Sequence, residues 1–404
     1  MRDVLIIGAG PAGLFAAERL SAKGFSVTVA DRMPSPARKF LMAGRGGLNL
    51  THGENLDRFL KRYREAEPFL APLIRDFPPQ ALRDWCRGLG EETFVGSSGR
   101  VFPTSMKASP LLRAWLRRLD QNGVELLPRR TWTGFGADGT VQLQGADGET
   151  SVFPARAVLL ALGGASWPRL GSNATWVPLL ENEGIHVHRF QPANCGFQIA
   201  WSAFLKDRFA GSPLKRIALH HQGQQVAGEA VLSAQGIEGG AVYALSAELR
   251  EALNRDGSAT LTIDLRPDMS EDDLARKLAR PRGKQSAATF LKKVLKLKPE
   301  EQALLREAGA LPAEPLDLAR RIKAVPLTCL APYAIDRAIS SAGGIALSEL
   351  IDGLMLAKRP GLFAAGEMLD WEAPTGGYLL QACFATGARA AEGIAAHLAQ
   401  SGDK

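Results

Sequence analysis

The chain has 404 residues, 46% hydrophobic and 23% charged, with 49 Lys and Arg against 42 Asp and Glu for a formal net charge of +7. That length exceeds what one core usually spans and predicts two domains or one domain with an insertion, and the composition excludes a disordered or low-complexity protein. Cys86, Cys195, Cys329 and Cys383 form no CxxC, so neither a zinc site nor a redox dithiol is signalled; no stretch approaches eighteen uninterrupted apolar residues, so no membrane span and a cytoplasmic location are expected.

Residues 4–7, VLII, are a continuous apolar run of the kind a parallel strand buried on both faces requires. GAGPAG comes next, then the helical stripe of LFAAERLSAKG, then the strand pattern FSVTVAD, completing a βαβ unit. Within it Gly8 permits a tight turn, Gly10 lets the backbone approach a pyrophosphate alongside Pro11 and Ala12, and Gly13 lets helix and strand pack closely. The helix N-terminus favours the anion. Asp31, with Arg32 beside it, closes the second strand where a carboxylate can accept hydrogen bonds from ribose hydroxyls. This unit predicts a bound dinucleotide but does not separate NAD from FAD.

The next stretch, RMPSPARKFLMAGRGGLNLTHGE, reads as an irregular loop broken by Pro34, Pro36 and four glycines. Arg38, Lys39 and Arg45 give it positive charge, and Gly44, Gly46 and Gly47 free main-chain N–H groups, a combination suited to a diphosphate and a flavin ring. GVELLPRRTWTGFG reads as a strand and its exit, and ARAVLLALGGASW as a buried strand ending in Gly163-Gly164. Near the C-terminus, GLFAAGE predicts a central strand delivering Glu367 after Gly366, and Gly376, Gly377 and Tyr378 open a long alanine-rich helix. Two helix N-termini directed at one elongated ligand suit FAD: one meets the pyrophosphate, the other the ring edge where charge gathers on reduction.

These stretches resemble the BaiN-like (YhiN-type) family of FAD-dependent, NAD(P)H-using oxidoreductases within the glutathione-reductase-like flavoproteins. The resemblance is carried by VLIIGAGPAGL, ARKFLMAGRGGLNLTH, GRVFPTSMKASPLL, LLALGGASWPRLGS, SSAGGIALSEL and GLFAAGEMLDWEAPTGGYLLQACFATG, which together span residues 4–389. It implies FAD contacts at Gly8, Gly10, Gly13, Asp31, Arg38, Lys39, Gly44, Gly164, Gly366, Glu367, Gly377 and Tyr378. It also implies a domain inserted into the flavin domain, hence FAD-binding segments 1–190 and 343–404 around an insertion at 191–342. Where many members read GGGRCN, this chain has Arg45-Gly46-Gly47-Leu48-Asn49, so the loop carries no cysteine. The expected class is α/β: a Rossmann-like FAD-binding domain, with a parallel and a smaller antiparallel sheet, carrying a mixed β-barrel-like and helical insertion.

Within that insertion, short alternating runs around KRIALHHQGQQVAGEAVLS predict antiparallel strands, and Ser270 before Glu271, Asp272 and Asp273 predicts a helix start. His220-His221 reads as structural. Residues 276–298 hold nine Lys or Arg and no acid, either a solvated helical face or a phosphate-binding surface for RNA through Lys292, Lys293, Lys296 and Lys298. No second GxGxxG, metal cluster or Ser-His-Asp spacing appears, so NAD(P)H enters only as a transient donor. Candidate proton donors are His52, Tyr378 and Lys107. The expected activity is flavin-dependent reduction of an unsaturated bond, with an RNA-associated flavoprotein and a flavin oxidase as alternatives.

Overall fold

A computed structural model describes residues 2–44 and 46–401. The chain divides into two compact units, Met1–Gln191 with Ser340–Lys404, and Pro192–Ile339.

In the first unit, strand β1 (Arg2–Ile7) leads through helix α1 (Pro11–Ala22) to strand β2 (Val27–Asp31). The main sheet has seven strands in the order Leu350–Ile351, Met355–Leu356, Leu362–Ala364, Ala155–Leu160, β1, β2, Glu125–Pro128. The last five run parallel, with Val4 paired to both Ala157 and Val27, while the two short strands at the opposite edge are antiparallel. Covered on both faces, such a sheet has no wet side, which is why Val4, Leu5 and Ile6 are fully buried without alternation. Burying each such side chain contributes roughly 1.5–3 kcal/mol.

The last helix, Tyr378–Ser401, packs along α1. A Cβ at Gly387 would lie 2.5 Å from the Ala12 carbonyl oxygen, so glycine sets how closely the two helices approach. Its alanine-rich sequence serves that packing, because small side chains let helix backbones come near each other.

Local structure departs from the sequence expectations in two places. The loop after β2 contains a helix, α2 (Arg38–Ala43), and a two-residue strand, Thr51–His52. RKFLMA is built of good helix formers, and Phe40, 1% exposed, anchors it in the core, so the run folds despite its flanking prolines and glycines. Beyond Glu125–Pro128 the chain enters a second strand, Thr131–Phe135, which starts an antiparallel three-stranded sheet with Val141–Gln144 and Thr150–Phe153.

The second unit holds a seven-stranded antiparallel sheet with helices. Its two edge strands, Val325–Cys329 and Ala331–Pro332, are separated in the chain by Leu330 alone, so the sheet curls toward itself as a barrel does. Ser270 caps the helix Glu271–Leu278 by accepting from Asp273 N at 3.1 Å. Of the histidine pair, His221 is buried and passes a 2.8 Å hydrogen bond from Nδ1 to the Thr260 carbonyl. Among the described residues no helix is long and apolar enough to cross a membrane, and no group of His, Cys, Asp and Glu is placed to hold a metal.

Candidate functional site: a cleft at the carboxyl ends of the parallel strands

A partly open cleft lies at the carboxyl ends of β1, β2, Ala155–Leu160 and Leu362–Ala364, where open parallel sheets bind their ligands. The three motif glycines serve it for different reasons. At Gly8, with φ +110°, a Cβ would lie 2.2 Å from the Ala161 carbonyl oxygen, and at Gly13 one would lie 2.0 Å from the Gly8 oxygen. Both are demanded by chain packing on chain. Gly10 is different: nothing lies within 4 Å of its missing Cβ, so a ligand can reach the backbone there. Gly10 also precedes Pro11 at the start of α1, where no side chain caps the helix and the first turn holds no acid. Its first-turn N–H donors are left for an anion.

Asp31 ends β2 with each carboxylate oxygen already held: Ala9 N donates to Oδ2 and Met33 N to Oδ1, both at 2.7 Å. Each oxygen keeps lone pairs for hydroxyl groups. Burial pushes the Asp31 carboxyl above the usual aspartate range, opposed by those two N–H bonds and by the Arg32 charge. A raised folded value stabilises the apoprotein fully only below the ordinary aspartate range, and that contribution is lost as the pH rises through the folded value. Ribose hydroxyls favour the ionised form. FAD release on acidification is therefore expected to begin at a higher pH than an ordinary aspartate would set, and a fluorescence titration of freed flavin checks this. In the Asp31→Asn variant that pH dependence should vanish.

On α2, Lys39 donates to Glu367 Oε2 and to Ser166 Oγ, each at 2.7 Å, while Glu367 Oε1 accepts from Ser341 N at 3.3 Å. The pair is largely shielded, with side-chain exposures of 28% for Lys39 and 12% for Glu367. Arg38 donates to Ser35 Oγ at 3.3 Å, and its Nε is buried with no partner among the described residues. An orphaned guanidinium N–H in a cleft fits an anionic ligand.

The cleft thus gathers Gly8, Gly10, Pro11, Ala12, Asp31, Arg32, Arg38, Lys39, Gly366 and Glu367. Gly13 lies directly beneath, against Gly8. Gly44, Gly46, Gly164, Gly376, Gly377, Tyr378, His52 and Lys107 are not part of its lining, and Arg45 lies outside the described residues. A Cβ at Gly44 would press on Ala108, at Gly164 on Ser341 Oγ, and at Gly377 on the Thr51 backbone 2.5 Å away. The close approach that the Gly376-Gly377 turn allows is to the strand Thr51–His52.

The candidate proton donors fall elsewhere. Tyr378 donates its hydroxyl to Glu54, which Arg62 holds with two bonds of 3.1 and 2.8 Å. Burial, then Glu54, pushes the Tyr378 hydroxyl well above its ordinary value. His52 stacks on that ring at 5.4 Å between centroids. Its Nδ1 accepts from Glu54 N at 3.2 Å, so Nε2 carries the hydrogen and donates to the Ser98 carbonyl at 3.0 Å. Both nitrogens are therefore engaged. Lys107 is exposed at the start of the helix Ala108–Gln121.

Sequence reasoning missed Arg130, Trp132, Ser172 and Cys383, all lining the cleft. A signal existed for Arg130, since Pro128 pairs with Asp31 at the end of the neighbouring strand and Arg130 N donates to the Asp31 carbonyl at 2.9 Å. None existed for Cys383, which the final helix delivers from far along the chain. Burial, with the Glu367 charge second, pushes its thiol up to about 12. The loop lacks a cysteine, yet the cleft has one.

A parallel sheet, a glycine turn opening onto a bare helix N-terminus, a ribose-ready acid and a second glycine-acid turn define an FAD-binding Rossmann oxidoreductase. The chain belongs to the HI0933-like protein Rossmann domain family, which it matches over residues 2–393. It is 28% identical over 410 residues to the 3-dehydro-bile acid delta(4,6)-reductase of Clostridium scindens, covering 96% of this chain and 97% of that protein. It is 23% identical over 392 residues to the ribosomal RNA dihydrouridine synthase of Escherichia coli, covering 94% of each. In fold it is similar to a 3-ketosteroid delta1-dehydrogenase from Sterolibacterium denitrificans, with a TM-score of 0.53 at 15% identity over 98% of this chain and 99% of that one. The open backbone at Gly10, the spare lone pairs of Asp31 and the orphaned Arg38 Nε fit FAD, the cofactor of this protein.

Proposed function

We propose that the protein saturates a carbon–carbon double bond of a small unsaturated carbonyl compound, with NAD(P)H as reductant. One hydride and one proton add across the bond while NAD(P)H becomes NAD(P)+. The reading is carried by the two full-length relatives, whose names describe different substrates but one change, the reduction of a ring double bond. FAD, when bound, supplies the two-electron chemistry.

The chain's own residues would bind and orient. Gly10 and the first turn of α1 would meet the pyrophosphate, with Arg38 adding positive charge, and Asp31 would take the ribose. Lys39 and Glu367 together add no net charge to the cleft and fix Gly366 beside it. Cys383 stays a thiol at neutral pH, so it offers no thiolate to an electron-poor alkene.

A second reading, suggested by the E. coli relative, puts the reducible bond in a uracil base of RNA. The test is anaerobic: the yellow protein is bleached with NADH or NADPH, then offered a 4,6-dien-3-one steroid or uridine-containing RNA. Return of the oxidised spectrum with saturated product supports the proposal. Failure to bleach with either nicotinamide removes it, and fast reoxidation by air with peroxide but not by alkenes replaces it with an oxidase.

A further inference from the structure

The second unit places four lysines of the basic run at one corner. Helix Ala287–Leu295 ends there, Lys296 turns the chain in the left-handed conformation, and helix Pro299–Glu307 begins. Lys292, Lys293, Lys296 and Lys298 are all exposed around an open concavity that also includes Thr289 and Pro299. The apolar residues between them, Phe290, Leu291, Leu295 and Leu297, are all buried in the core of this unit.

The corner is held rigidly from behind. Arg266 donates to the Leu295 carbonyl at 3.0 Å and grips Glu301 with bonds of 3.1 and 2.9 Å, while Glu301 accepts from Lys298 N at 2.8 Å. Gln302, 5% exposed, donates to the Leu297 and Ala288 carbonyls at 3.0 and 3.2 Å. Nearby acids are occupied elsewhere: Glu301 by Arg266, Asp273 by Arg276, Glu271 by Arg320. Among the described residues, Lys292, Lys293 and Lys296 have no acid within ion-pair distance, and Lys298 reaches Glu300 only at 4.0 Å. Four like charges fixed together repel one another, a cost that a polyanion reverses.

We propose that this corner docks the phosphate backbone of RNA. Lysine ammonium groups are point charges suited to phosphate, not the forked donors that read base edges, so the surface positions a strand without reading its sequence. An anionic membrane fits less well, because surface-bound helices insert apolar side chains beside their lysines and here those side chains face the core. The choice of RNA over other polyanions rests on the second reading above; the charge cluster itself does not depend on the flavin chemistry.

The test uses the full-length, flavin-loaded protein and a labelled oligouridylate, with binding measured across a salt series. Replacing Lys292, Lys293 and Lys296 together by alanine should weaken binding roughly tenfold or more and lower the log–log salt slope by about 2, since each of the three phosphates no longer neutralised removes about 0.7. The same three positions as arginine should keep both affinity and slope, which separates charge from folding. Bleaching by NAD(P)H should be unchanged in all variants, so loss of RNA binding and failure of the reductase reading remain distinct results. Absence of binding by the unaltered protein, an unchanged alanine variant, or preferential retention on phosphatidylserine vesicles or duplex DNA overturns the proposal.

Discussion

Lys39→Met is expected to destabilise the protein by about 2–3 kcal/mol, less than the cost of removing one partner from a fully buried ion pair because this pair is part-buried. The loss arises because Glu367 keeps its charge in a shielded place, with the Ser341 N–H at 3.3 Å left to it among the described residues. Retained flavin should fall with stability, since Gly366 and Glu367 both line the cleft. A double-mutant cycle checks the cause. Adding Glu367→Gln to Lys39→Met removes the stranded charge and should recover most of the lost stability, measured by urea unfolding of the apoprotein. If the double variant is as unstable as the sum of the two single ones, the pair is not coupled and the assignment fails.

Asp31→Ala is expected to cut FAD affinity by about 10²- to 10⁴-fold, the loss of two hydrogen bonds to a charged group at about 1.5–3 kcal/mol each. Stability of the apoprotein should change far less. The substitution strands the Ala9 and Met33 N–H groups, but it also relieves a buried carboxylate whose burial already pushes its proton affinity up. Equilibrium dialysis of free FAD against the refolded apoprotein reads the affinity directly. An unchanged affinity would mean that Asp31 only ties the turn at Ala9 to β2.

The first βαβ unit was legible in the sequence because each of its features is local: an unalternating apolar run, glycines at fixed spacing, a helical stripe and an acid at a strand end. The terminal strand and helix were legible for the same reason, as were the capped helix at Ser270 and the acid-free basic run. Helix α2 was hidden by the prolines and glycines around it, and only the burial of Phe40 shows why the six residues fold.

Which glycines face a ligand and which face the chain was settled by tertiary packing. Gly10 and Gly377 look alike in sequence, yet one opens onto the cleft and the other presses on Thr51. Packing also brings Lys39 to Glu367 across 328 residues of chain, carries Cys383 into the cleft, and commits the polar atoms of His52 and Tyr378 to Glu54 and its neighbours. Spacing in sequence specifies local conformation through backbone sterics and periodicity. Contacts between distant segments depend on how sheet and helices close round a common core, and no local pattern encodes that.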